Sequence, residues 1–61
     1  MNKKKKLTTE ETLALAVQNH QKNNLKVAEN LYKKILKTNP NHLESIFYLG
    51  TLLGQLKRFD F

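Results

Sequence analysis

From Thr8 to Leu56 the apolar residues recur at helical spacing and nowhere alternate with period two over a useful length, so the pattern predicts helices and no strand. Three helical segments are expected, over about 9–22, 25–38 and 42–56. Thr8-Thr9-Glu10-Glu11 reads as a capping box: the Thr8 hydroxyl accepts from the Glu11 amide while Glu11 reaches back. At 100° per residue, Thr12, Leu15, Ala16 and Asn19 form one stripe of the first segment, and Leu13, Val17 and His20 form another. Asn23-Asn24 then interrupts the helix, because asparagine tolerates the left-handed conformation that ends one helix and also caps the next.

The second segment has one wide apolar arc of Leu25, Ala28, Leu31, Tyr32, Ile35 and Leu36, with Lys26, Asn30, Lys33 and Lys37 opposite. Pro40 disfavours helix at Asn39 and stops it. Asn41 with Glu44 reads as a second capping pair. In the third segment Ile46, Leu49, Gly50, Leu53 and Leu56 make a stripe, with Phe47 and Thr51 beside it. The first and third segments thus share a two-faced design, whereas the second has one buried and one lysine face.

That likeness has a fixed offset. A shift of 34 residues brings Glu10 onto Glu44, Leu13 onto Phe47, Leu15 onto Leu49, Ala16 onto Gly50, Gln21 onto Gln55 and Leu25 onto Phe59. A period of 34 in helix-turn-helix units is the tetratricopeptide signature, and the sequence resembles that family at its packing residues. Leu15-Ala16 and Leu49-Gly50 look like the family's leucine-plus-small pair, Ala28 like its small residue in the second helix, Tyr32 like its aromatic and Pro40 like its terminating proline. Thr12, Asn19, Ile35, Asn23 and Lys57 depart from the usual pattern. The resemblance implies an all-α, antiparallel helix-turn-helix solenoid fragment of three helices. Residues 1–7 would be a disordered basic tail and residues 8–61 the repeat domain, with one full repeat over about 9–42 and an incomplete one over 43–61. It also offers a reason for Gly50, which costs about 1 kcal/mol against alanine in a helix: the third helix would come close to Tyr32 there, as Ala16 does one repeat earlier. Gly50→Leu is then expected to overpack and to cost about 1–3 kcal/mol.

Composition narrows the chemistry. Eleven basic residues stand against five acidic, giving a net charge of +6, and four of the lysines form the run Lys3 to Lys6. A bias toward lysine and asparagine accounts for most of this; binding to an acidic partner is the competing explanation. There is no cysteine, which leaves no disulfide or thiolate metal site and fits a reducing compartment, so the expected location is cytoplasmic. No apolar run approaches the roughly 18 residues of a membrane span. His20 and His42 stand 22 apart without clustered carboxylates, no glycine-rich phosphate loop or nucleophile motif is present, and Glu10-Glu11 suits a helix start better than acid/base work. The expectation is a protein without catalysis, cofactor or metal.

By the resemblance, the first helix of each repeat lines a concave groove that holds a peptide or another protein. Leu13, Val17, His20 and Gln21 would line it, joined by Phe47, Thr51 and Gln55. Some family members clamp a terminal carboxylate with lysine and asparagine; Leu13 and Val17 stand at those places, so no such clamp is expected. The chain is therefore read as a protein-interaction scaffold or adaptor, part of a larger repeat protein. "LKRFDF" repeats the opening of the second helix, with Phe59 in the place of Leu25. The apolar residues Leu52, Leu53, Leu56, Phe59 and Phe61 would then meet further repeats or a second copy. The alternative is a small basic helical protein that contacts nucleic acid through the lysine face of the second helix.

Overall fold

The computed structural model describes residues 7–58 and places them in three helices: α1 (Thr9–Gln21), α2 (Leu25–Thr38) and α3 (Leu43–Arg58). Among the described residues there is no strand, and no helix is long and apolar enough to cross a membrane. The expected tail over residues 1–6, and Phe59 and Phe61, lie outside the described residues. Leu7, assigned to the tail from its charged neighbours, is described, and it borders a groove along α1.

The first turn of α1 forms as its sequence predicts. Thr8 Oγ1 accepts from the Glu11 amide at 3.0 Å, and Glu11 Oε1 accepts from the Thr8 amide at 2.9 Å, so two of the unpaired donors of the helix start are satisfied. Asn23 ends α1 with φ at 68°, in the left-handed region that asparagine tolerates. Two caps differ from expectation. Asn24 precedes α2, but its side chain makes no cap bond; it reaches back to Asn19 Oδ1 at 3.2 Å. At α3, His42 rather than Asn41 holds the helix start. Its Nδ1 accepts from the Ser45 amide at 3.2 Å and lies 2.9 Å from the Ser45 hydroxyl. A ring nitrogen thus does the work sequence reading gave to an asparagine.

α1 and α2 form an antiparallel hairpin. The start of α1 meets the end of α2, where Asn39 Nδ2 donates to Thr9 Oγ1 at 3.2 Å. α2 lies between α1 and α3 and supplies most of the core: Ala28, Tyr32 and Ile35 are buried, together with Ala16 of α1 and Leu52 of α3. Its apolar arc is as the periodicity predicts. The opposite lysine face includes one residue that the hydrophobic pattern could not assign, Glu29, which is buried to 8 % exposure between Lys33, at 2.9 Å, and Lys26, at 3.8 Å. The hydrogen bond from Lys33 is the main cause that holds its carboxyl below the usual range.

α3 presents only part of the stripe expected: Leu49 and Leu56 pack on the core, whereas Ile46, Gly50 and Leu53 are exposed. Toward α2 it turns Ser45 and Leu52, both fully buried, with Tyr48, Leu49 and Leu56 packed around them. Ile46 and Leu53 stay 45 % and 39 % exposed. The 34-residue offset shows why. Thr12 and Ala16 on α1 are buried; the residues at the same offset on α3, Ile46 and Gly50, are exposed. Conversely Ser45 and Leu52 on α3 are buried, while their counterparts Glu11 and Gln18 on α1 are exposed. One helix cannot meet the same face of two parallel neighbours on either side of it, so α2 takes opposite faces of α1 and α3.

The role expected for Gly50 is therefore corrected. A Cβ built on Gly50 meets no atom within 4 Å, and the same holds for Gly54. Gly50 does not bring α3 close to Tyr32; Tyr32 instead stacks on Tyr48, ring centroids 5.7 Å apart and planes 6° from parallel. With open space at the site, only helix propensity remains. Gly50→Ala is expected to raise the unfolding free energy by about 0.5–1 kcal/mol, read as a higher urea midpoint at unchanged slope. A loss of stability would mean that this face is covered.

Candidate functional site

The ends of α1 and α3 come together: His20, near the end of α1, meets Gln55, near the end of α3, with Nε2 to Oε1 at 2.7 Å. The amide oxygen can only accept, so Nε2 carries the proton, and in the neutral ring Nδ1 accepts from the Tyr32 hydroxyl at 3.0 Å. The Tyr32 ring also meets the imidazole edge-on, centroids 5.9 Å apart. His20, half-buried, thus ties all three helices together. Burial of Tyr32, with Tyr48 adding to it, pushes the phenol above its ordinary range. No buried side-chain nitrogen or oxygen among the described residues lacks a partner.

An open groove of about 700 Å³ follows α1 on its α3 side. Leu13, Ala14, Val17 and Gln21 of α1 line it, and Tyr48 is the α3 residue among the lining. Leu7, Glu10, Glu11, Leu15 and Gln18 complete its border. Of the residues expected to line a groove, Leu13, Val17 and Gln21 do so. The other four do not. His20 and Gln55 are occupied with each other. Phe47 points outward, 70 % exposed, with its ring edge on Tyr48 at 6.0 Å. Thr51 donates to the Phe47 carbonyl at 3.0 Å. Tyr48 was not among the expected residues; it falls at the 34-residue offset from Ala14, which lines the groove and was not expected either.

The packing residues expected from the repeat divide in the same way. Ala16, Ala28 and Tyr32 are fully buried and Leu49 is half-buried. Leu15, Pro40 and Gly50 are exposed. Among the described residues no group of three or more His, Cys, Asp or Glu could hold a metal ion. What the site offers is an apolar strip edged by amides and carboxylates, suited to holding an extended or helical segment by burial and a few polar contacts. No family model matches the chain, and neither does any curated protein or solved structure.

Proposed function

We propose that this chain is a protein-interaction module of the tetratricopeptide-repeat kind, which takes a peptide or protein segment into the groove between α1 and α3. The observation that carries this reading is the equivalence of α1 and α3 at a 34-residue offset, with both helices packed on α2 and an apolar groove between them lined by Leu13, Val17 and Tyr48. The same reading assigns the exposed face of α3, with Ile46, Gly50 and Leu53, to a further helix of a repeat array or to a second copy. The lysine face of α2 gives little support to nucleic-acid binding, because Glu29 sits between Lys26 and Lys33 and cancels part of their charge.

The test uses peptides selected from a random library against the full chain. Ala14→Asp puts a charge in the groove at an exposed position outside the core cluster, and it is expected to weaken binding by about tenfold or more, equivalent to at least about 1.4 kcal/mol, with helical circular dichroism unchanged. Selected peptides that bind the variant as well as the parent would refute the groove.

A further inference from the structure

The groove has a charge sign opposite to that of the molecule. This step rests on the reading of the groove as a binding site and adds the chemistry of what enters it. Among the described residues, two acidic residues, Glu10 and Glu11, border the groove and no lysine or arginine does, although the chain has eleven basic and five acidic residues. The two acids differ. Glu11 is committed to the Thr8 amide. Glu10 is exposed, pairs with no described side chain, and stands one turn before Leu13 and Ala14 at the start of the strip. The lysines of α2 are carried on its outer side, with Lys26 and Lys33 on Glu29. The fold sorts its charge, leaving an apolar strip with one negative end. The rest of the described border is amide or apolar, apart from Glu11, whose carboxylate is held by the Thr8 amide.

We propose that the groove accepts an apolar peptide segment carrying lysine or arginine beside its apolar side chains, with the cation set against Glu10. Leu13, Val17 and Tyr48 take the apolar side chains. The distinguishing property is that local and net charge point in opposite directions: a molecule of charge +6 attracts acidic peptides from a distance, whereas this groove favours basic ones on contact.

Two fluorescein-labelled probes decide it, one built of leucine, alanine and lysine, the other with glutamate at every lysine position. Both are titrated against the full chain at low salt and followed by anisotropy. The lysine probe is expected to bind about two- to fivefold more tightly, the range an exposed ion pair supplies, with the gap closing as salt screens it. Glu10→Gln should remove the preference and Glu10→Lys should reverse it. Tighter binding of the glutamate probe to the parent, or a preference unmoved in both variants, overturns the proposal. If both probes bind equally and Ala14→Asp weakens both, the groove stands and its charge selectivity falls. If neither binds, the groove reading fails and takes the selectivity with it.

Discussion

Tyr32→Ala is expected to leave the chain largely unfolded at room temperature. Tyr32 is fully buried, stacked on Tyr48, edge-on to His20 and bonded to it through the hydroxyl. Truncating a buried aromatic to alanine costs about 3–5 kcal/mol, and a domain of this length has only about 3–9 kcal/mol in total on a per-residue scale. Tyr32→Phe separates packing from polarity. It keeps the ring stack and removes the donor to His20 Nδ1, for about 0.5–1.5 kcal/mol. Urea unfolding followed by circular dichroism measures both. An alanine variant within about 1 kcal/mol of the parent would mean that the three helices do not share this residue as their centre.

Leu52→Ala is the second large effect, at about 2–5 kcal/mol, because Leu52 is fully buried against α2. Its neighbour provides the contrast: Leu53, 39 % exposed, should cost below about 1 kcal/mol on the same change. The two leucines differ by one position and by about 100° around the helix axis. A reversed order would show that α3 packs through the face that carries Gly50.

The comparison of Leu52 with Leu53 also marks where the sequence ceases to decide the structure. α2 was legible because only one of its faces is apolar, and lysines leave no second choice. The turn at Asn23 and the break at Pro40 were legible because few residues serve there. α3 is apolar on both sides, with Ser45, Leu49 and Leu52 on one and Ile46, Gly50 and Leu53 on the other. Periodicity finds the helix but cannot say which side meets α2, since that depends on where the turn from Asn39 to His42 places it. The groove was half legible for the same reason. Leu13 and Val17 project from the helix that starts the hairpin, whereas Tyr48 enters only through the rotation of α3 that buries Leu52. Glu29 and His42 were hidden differently. Each acts through one local bond, to Lys33 and to Ser45, and hydrophobic patterning carries no information about such bonds.

The unequal outer faces of α1 and α3 bear on how copies of the chain can join. On α1 the exposed residues Glu11, Leu15 and Gln18 also border the groove; on α3 the exposed residues are Ile46, Gly50 and Leu53. Head-to-tail contact would set an apolar face against one holding a carboxylate and an amide, which would lose water without finding partners. Contact between two α3 faces would bury apolar surface on both sides and would be related by a twofold axis. Head-to-tail contact closes into a ring or propagates as a filament, whereas twofold contact ends at a pair. Should copies of the chain associate, the carboxylate and amide of α1 would favour contact between two α3 faces over head-to-tail contact as the way to cover the exposed leucine and isoleucine of α3.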